Sequence, residues 1–236
     1  MKDETIFIQI ASYRDPELPI TLKSCIDNAH KPENLRFGIC RQFKEGDLFD
    51  DIPEYENDAR FRVVNVPWKE AKGVCWARNI VQNEYDGETY TLQLDSHHRF
   101  APGWDTLCID MMNQLQKKGH EKPLLTAYIP SYKPSNDPDG REKDPWFMEY
   151  DRFIPEGAIF FLPSTIPDWM TRVEPMRSRF YSAHFCFTLG KFCEEVPHDP
   201  DYYFHGEEIS IAVRAFTHGY DLFHPHKTIC WHEYTR

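Results

Sequence analysis

The sequence predicts an α/β protein with a central mixed sheet flanked by helices. Short apolar runs rich in strand-forming residues alternate along the chain with stretches whose apolar residues recur at helical spacing. Up to residue 130 these segments follow the order β-α-β-β-α-β-α-β, which is typical of a sheet whose strands are connected by covering helices. The 236 residues suit one domain of this kind.

The first half of the chain carries the clearest pattern. The predicted strands are residues 6–11, 35–43, 61–66, 90–94 and 124–129, and the predicted helices are residues 19–29, 73–85 and 104–118. Pro16 and Pro19 mark the start of the first helix, because proline is favoured in a first helical turn. Val74, Ala77 and Val81 place apolar side chains on one face of the second helix.

The second half is less regular. Ser131–Pro145 is polar and rich in Pro and Asp, so we expect a mobile loop that contributes to binding; a solvated surface loop is the alternative. Residues 157–162 and 180–189 are predicted strands of a second, more antiparallel layer. A helix is predicted over 207–218 with Gly219 as its C-terminal cap, followed by short strands at 222–223 and 229–231.

Composition excludes several classes of protein. Hydrophobic residues make up 41% of the chain, which argues against disorder, and the formal net charge of −11 disfavours nucleic acid or an anionic membrane as a partner. Seven cysteines without a C-x-x-C pair indicate reduced thiols, and therefore a cytoplasmic protein. The chain shows no signal peptide and no apolar stretch long enough to insert into a membrane.

The stretch from Tyr90 to Arg99 carries a candidate metal site. Its alternating apolar residues end in Asp95, Ser96, His97 and His98, and in open α/β sheets ligands bind at the carboxyl ends of strands. Asp95 and His97 are two residues apart, so on an extended backbone both could reach one divalent ion such as Mn²⁺, while His98 would point away. A third ligand could come from His224, His226 or His232. The alternative is a strand that simply ends in polar residues.

A second group is cationic. Arg14 follows the first strand, and Lys72 and Arg78 flank the start of the helix that begins at Gly73. A helix N-terminus with nearby cations favours a phosphate, and Arg can grip a diphosphate with two nitrogens. The alternative is that these side chains pair with the abundant acidic residues.

A third group surrounds Gly206. Glu207 and Glu208 could bind sugar hydroxyls or act as a base or nucleophile, and Tyr202, Tyr203 and Phe204 before them could stack on a pyranose ring. The alternatives are acidic residues that simply favour a helix N-terminus and aromatic residues that belong to the core.

With these three groups together, the chain resembles the GlcNAc-type glycosyltransferases, which include enzymes that modify hydroxyproline of a cytosolic ubiquitin-ligase subunit. More distantly it is similar to the polypeptide N-acetylgalactosaminyltransferases, which share a D-x-H motif and a Gly-Glu helix. The matching pieces are IFIQIASYRDPEL (6–18), AKGVCWARN (71–79), LQLDSHHRF (92–100), HGEEISIAVRAFTHGYDLFHP (205–225) and CWHEYTR (230–236).

The resemblance implies a GT-A-type, Rossmann-like fold over residues 1–236, with a nucleotide-binding half (1–130) and an acceptor- and sugar-binding half (131–236). It also implies a UDP-sugar donor and Mn²⁺ or Mg²⁺. Asp95, His97 and His232 would hold the metal. Ser12, Tyr13, Arg14, Lys72, Arg78 and Asp95 would bind the nucleotide side, and Glu207 or Glu208 the donor sugar or acceptor.

The predicted function is therefore a metal-dependent glycosyltransferase that moves a sugar, with GlcNAc favoured, from a UDP-sugar to a hydroxyl acceptor. The acceptor would be protein hydroxyproline, Ser or Thr, or a glycan, and the familiar members of the family retain the anomeric configuration. Two alternatives stay open. One is a metal-dependent hydrolase that uses the same Asp and His residues to activate water. The other is an inactive module that binds a nucleotide sugar.

Overall fold

A computed structural model describes residues 4–55 and 57–235. Its strands are β1 (Ile6–Tyr13), β2 (Leu35–Phe43), β3 (Phe61–Pro67), β4 (Tyr90–Asp95), β5 (His98–Phe100), β6 (Lys122–Thr126), β7 (Trp146–Phe153), β8 (Ile159–Thr165), β9 (Met176–Arg177), β10 (Phe185–Leu189), β11 (Tyr220–His224) and β12 (Cys230–His232). The α-helices are α1 (Leu18–Asp27), α2 (Val74–Gln82), α3 (Trp104–Lys117), α4 (Phe192–Glu195) and α5 (Glu207–Thr217). Short 3₁₀ turns lie at 32–34, 53–55, 68–70 and 134–136.

Eight strands form the main sheet in the order β3-β2-β1-β4-β10-β6-β11-β9. The β1–β2, β2–β3, β1–β4 and β6–β11 pairs are parallel, whereas β10 runs antiparallel between β4 and β6. The sheet is therefore mixed, as predicted, and its parallel half is built from the first half of the chain. The predicted order of elements up to residue 130 is confirmed, with the short strand β5 as an addition.

The placement of residues 180–189 in a second layer is wrong. Phe185–Leu189 forms β10 inside the main sheet, where it pairs with β4 on one side and β6 on the other. Its first four residues are all buried, because a central strand is covered on both faces. The other predicted strand of that layer, residues 157–162, overlaps β8, which forms a separate antiparallel hairpin with β7, paired from Trp146 to Phe153 and from Ile159 to Thr165.

Helices cover both faces of the main sheet because successive side chains of a strand point to opposite faces. On β1, Ile6, Ile8 and Ile10 pack in the core cluster that contains the apolar residues of α1 and α3. Phe7 points to the other face and packs with Ala77 and Val81 of α2. On another part of the main sheet, the apolar residues of α5 pack against β6 and β11 in a separate cluster.

The loop from Ser131 to Pro145 is anchored at its base. Ser131 forms a β-bridge with His232. Tyr132 is 1% exposed, and the Arg99 guanidinium carbon lies 4.7 Å from the centroid of the Tyr132 ring. Farther along, Asp137 pairs with Arg99 at 3.2 Å and with Arg141 at 2.5 Å. The mobility of this loop stays a prediction.

All seven cysteines are buried free thiols, as predicted. Within residues 4–55 and 57–235, no helix is both long and apolar enough to cross a bilayer.

Candidate active site at the carboxyl ends of β1 and β4

The predicted site residues meet where β1 and β4 end. These strands run parallel, and Ala11 is paired in register with Asp95. Ser12, Tyr13 and Arg14 therefore follow at the same edge of the sheet as the Asp95 carboxylate. After Asp95 the chain leaves strand geometry at Ser96 and His97 before β5 begins at His98.

Asp95, His97 and His232 come together at this edge. Asp95 Oδ2 lies 3.4 Å from His232 Nε2 and 4.0 Å from His97 Nε2. One donor atom from each of the three residues lies within 4.8 Å of the others. His232 reaches the site because β12 pairs antiparallel with β5, which sets His232 opposite His98. Carboxylate oxygen and imidazole nitrogen are ligands that suit a divalent first-row metal.

The other two C-terminal histidines lie elsewhere. His224 is buried in β11, and its Nδ1 contacts the Thr126 carbonyl oxygen at 2.7 Å. His226 lines a separate cavity with Leu107 and Met111 of α3. Of the three histidines considered from the sequence, His232 is the one that joins Asp95 and His97.

The extended-strand argument predicted that His98 points away from the group, and this prediction is wrong. Its ring centroid lies 4.8 Å from that of His232, and the side chain is fully buried with Nδ1 3.1 Å from the Asp95 carbonyl oxygen. The turn at Ser96 and His97 breaks the alternation of side chains on which that prediction depended.

Asp15 holds the His97 ring. Its Oδ2 accepts a hydrogen bond from His97 Nδ1 at 2.7 Å and one from the Ser96 hydroxyl at 2.6 Å, while Oδ1 accepts the Glu17 amide at 2.9 Å. Burial raises the pKa of the Asp15 carboxyl, but these bonds outweigh it and leave the pKa below its usual value. Because Nδ1 contacts Asp15, Nε2 is the His97 nitrogen that faces Asp95.

Arg78 bridges two carboxylates. Its Nη2 donates to Asp95 Oδ1 and its Nη1 to Glu207 Oε1, both at 2.7 Å. Burial raises the pKa of Asp95, yet Arg78 and the neighbouring histidines hold it well below the ordinary value. Asp95 is therefore ionised, with one oxygen bound to Arg78 and the other facing the two imidazoles.

Glu207 and Glu208 differ sharply. Both oxygens of Glu207 are engaged, Oε1 by Arg78 and Oε2 by the Cys75 thiol at 2.9 Å. Burial opposes ionisation of Glu207, but Arg78 and His198 bring its pKa down to about 2. Glu208 is half-buried and accepts the Ala183 amide at 3.0 Å, and burial raises its pKa to about 7.

A cleft of about 720 Å³ opens beside these residues. Its polar lining includes Arg78, Asp95, His97, His232 and Glu208, and much of the remaining lining is apolar. The apolar lining comes from the β7–β8 hairpin (Phe153, Ile154, Ile159, Phe160, Phe161), from Tyr128 and Tyr234, and from Phe204. Of the three aromatic residues noted before Gly206, Phe204 lines the cleft, whereas Tyr202 and Tyr203 are 38% and 75% exposed outside its lining.

Sequence comparison identifies the family. Residues 5–55 and 49–236 match the profile of the family described as Glycosyltransferase (GlcNAc). The chain belongs to the GlcNAc glycosyltransferase family. A comparison with curated protein sequences found no match.

Solved structures of glycosyltransferases share the fold of this family member. GalNAc-T7, crystallised with UDP, GalNAc and Mn²⁺, is 16% identical with a TM-score of 0.74, over 99% of this chain and 44% of that one. Residues 1–349 of S. aureus TarS, in complex with UDP-GlcNAc, are 9% identical with a TM-score of 0.64, over 98% of this chain and 59% of that one. This GT-A-type fold is thus confirmed, and the chain spans less than two thirds of either structure.

The remaining expected nucleotide-binding residues of the family lie outside the cleft lining. Arg14, with a φ of 46°, pairs with Asp47 at 2.7 Å and lies 5.6 Å from the Trp68 ring centroid. Ser12 is fully buried and Tyr13 is 50% exposed. The Lys72 ammonium lies 5.8 Å from the Trp76 ring centroid.

Sequence reasoning missed Asp15 and β7, the first strand of the hairpin, although it predicted a strand over 157–162. Asp15 stands within the matching piece IFIQIASYRDPEL, and its signal was an acidic residue at the end of a strand next to the candidate site. The hairpin strand β7 (WFMEYDRF) mixes charged residues with apolar ones and carries no clean alternation. Tyr128, which lines the cleft, gave no signal, because an isolated aromatic residue in an apolar run is typical of a core.

Proposed function

We propose that this chain is a metal-dependent glycosyltransferase that transfers GlcNAc from UDP-GlcNAc to a hydroxyl group of a protein or glycan, with retention of configuration. The observation that carries the proposal is the position of Asp95 Oδ2, 3.4 Å from His232 Nε2 and 4.0 Å from His97 Nε2, in the lining of the cleft. The family and the fold support the same reaction class.

The three side chains fit a divalent metal. One ionised carboxylate and two imidazoles suit Mn²⁺, with Mg²⁺ as the second choice, and leave coordination positions for phosphate oxygens. The Asp15 contact fixes the His97 tautomer in the manner usual for histidine ligands. When bound, the metal would supply Lewis-acid stabilisation of the negative charge on the departing diphosphate.

The protein residues then have separate roles. Arg78 orients Asp95, and Glu207 orients Arg78, so we assign Glu207 a positioning role. Glu208 faces the cleft, and we propose it as the group that binds a sugar or acceptor hydroxyl or moves its proton. Ser12, Tyr13, Arg14 and Lys72 would contact the nucleotide, since the first two end β1, Arg14 follows it and Lys72 precedes α2 at the same edge of the sheet.

The apolar residues that line the cleft suit a sugar or an acceptor. Aromatic side chains such as Phe204 and Phe161 can cover a sugar ring or the apolar part of a modified residue. We propose that residues 1–130 bind the nucleotide and residues 131–236 the sugar and acceptor, within one domain. Seven free thiols support a reducing, cytoplasmic location.

A donor panel tests this function. UDP-GlcNAc, UDP-GalNAc and UDP-glucose are each incubated with the protein, Mn²⁺ and candidate hydroxyl acceptors, and released UDP is measured. We expect UDP release that depends on acceptor and metal, is fastest with UDP-GlcNAc, and gives a product whose anomeric configuration by NMR matches the donor. Release of free sugar at the same rate without acceptor would instead indicate a hydrolase.

A further inference from the structure

A second group of side chains that could hold a metal ion lies beside Arg78; Glu207 also lines the cleft, whereas Cys75 and His198 are not among its lining residues. Cys75 on α2, His198 in the loop before α5 and Glu207 at the start of α5 bring one donor atom each to within 4.8 Å of one another. Their exposed fractions are 0%, 1% and 5%. Thiolate, imidazole and carboxylate are together the ligand types that bind Zn²⁺ in proteins.

The His198 ring is oriented as a metal ligand would be. Gln93 Nε2 donates a hydrogen bond to the Ala183 carbonyl oxygen at 2.8 Å. The Gln93 amide is thereby oriented with its Oε1 toward His198 Nε2, 2.6 Å away. An amide oxygen only accepts hydrogen bonds, so Nε2 carries the proton. In the neutral ring Nδ1 is then a bare lone pair, and histidine ligands commonly donate their other nitrogen in this way.

That bare nitrogen faces an anion. His198 Nδ1 lies 3.3 Å from Glu207 Oε2 without hydrogen-bond geometry. Two acceptors this close in the interior repel unless a proton or a cation lies between them. A divalent cation satisfies both atoms.

The other two ligands are held in a matching way. Arg78 binds Glu207 Oε1 at 2.7 Å, so Oε2 is the oxygen that would bind the metal. The Cys75 sulfur lies 2.9 Å from that same Oε2. The His198 backbone is fixed by α2, since its amide donates to Gln82 at 2.6 Å and its carbonyl accepts from Asn79 at 2.8 Å.

We propose that Cys75, His198 and Glu207 bind a buried Zn²⁺ ion that joins α2 to α5. Binding replaces the Cys75 S–H bond with a sulfur–zinc bond and releases that proton to solvent, as thiol ligation requires. Three protein ligands leave the fourth tetrahedral position to a water molecule. Tetrahedral coordination would widen the Cys75 Sγ to Glu207 Oε2 distance from 2.9 Å to about 3.5 Å.

The site is distinct from the one proposed for the donor, because that one has no sulfur ligand. The test therefore reads the thiolate. The full chain is purified, dialysed against EDTA and analysed for zinc by mass spectrometry, and is separately unfolded and refolded with Co²⁺. We expect about one zinc per chain and, with Co²⁺, a sulfur-to-cobalt charge-transfer band in the near ultraviolet.

Variants assign the band. Cys75→Ser should abolish the band. His198→Gln should abolish it too, because the Gln amide can keep the contact with Gln93 but cannot replace the imidazole as a metal ligand. Cys193→Ser is the matched control, since that buried thiol contacts Gln9 and Thr91 instead, and it should keep the band. His97→Ala should keep it too, whether or not the proposed transferase activity exists. A wild-type protein refolded with Co²⁺ that shows no thiolate band, or a band that survives in Cys75→Ser, overturns the proposal.

Discussion

Asp15 Oδ2 lies 2.7 Å from Nδ1 of His97, and this single contact decides which nitrogen of His97 faces Asp95. Asp15 is 5% exposed and is itself held by Ser96 and Glu17. A buried carboxylate behind an imidazole fixes the ring and strengthens it as a ligand. Asp15 therefore belongs to the proposed metal site although it does not reach the metal position.

Asp15→Asn should weaken Mn²⁺ binding about tenfold to a hundredfold, the range found when such supporting residues are changed. The side chain keeps its size, so the fold should persist. Electron paramagnetic resonance of free Mn²⁺ in the presence of UDP measures the affinity. Asp27→Asn is the control, since Asp27 is exposed and forms an ion pair with Lys23 on the surface. An affinity of the Asp15 variant equal to that of this control would show that Asp15 has no role in the site.

Arg78→Ala should lower the free energy of unfolding by about 3–5 kcal/mol, because it leaves two buried or partly buried carboxylates, Asp95 and Glu207, without their shared cation. Urea unfolding in EDTA measures the change. Arg177→Ala is the matched control: its side chain is 61% exposed and pairs with Asp221, so the loss should stay below about 1 kcal/mol. Similar losses in the two variants would contradict the assigned role of Arg78.

Glu208 predicts a pH dependence of stability. Its pKa in the folded protein is about 7, above the ordinary 4.5, so the folded state keeps a proton that the unfolded state has released. The free energy of unfolding should therefore fall as pH rises from about 4.5 to about 7. Glu208→Gln removes this dependence and should be the more stable protein above pH 7, by about 1–3 kcal/mol.

Denaturant unfolding at pH 5 and pH 8, without metal, checks the Glu208 prediction. The two proteins should differ at pH 8 and converge at pH 5. Glu194→Gln, at an exposed position on α4, should track wild type at both values. The interpretation fails if Glu208→Gln is the less stable protein at pH 8.

The loop from Ser131 to Pro145 should become protected from hydrogen exchange when UDP-sugar and Mn²⁺ are added. Its base is hydrogen-bonded to the His232 backbone, through Tyr132 N to His232 O at 3.1 Å and His232 N to Pro130 O at 3.0 Å. A ligand that orders His232 should therefore order the loop. Unchanged exchange in 131–145, with slower exchange at Asp95 and His97, would show that the loop takes no part in binding.

Local sequence patterns predicted most of the parallel half of the fold. The runs at β1, β2 and β4 are short and rich in apolar residues, and the helices that precede or follow them have amphipathic spacing, so each element follows from its own residues. Asp95 and His97 could be found for the same reason, since they follow such a strand directly. β10 was misplaced because its apolar run fits a central strand of any sheet, and its partners lie far away in sequence.

Residues brought to the site by long-range pairing could not be found in this way. His232 lies beside Asp95 because β12 pairs with β5, and no local pattern separates it from His224 or His226. Its choice rested on family resemblance. The different environments of Glu207 and Glu208 depend on Arg78, Cys75 and Ala183, which come from distant parts of the chain.

The central claim is that Asp95, His97 and His232 hold a divalent metal for the donor diphosphate. Calorimetric titration of UDP into the protein, with Mn²⁺ and with EDTA, tests it most directly. His232→Ala is compared with His224→Ala, a buried histidine bonded to Thr126 and outside the site. We expect wild type and His224→Ala to bind UDP more tightly with Mn²⁺, and His232→Ala to lose that gain while still folded by circular dichroism. Equal UDP affinity of wild type with and without metal, or a full Mn²⁺ effect in His232→Ala, would contradict the three-residue metal site.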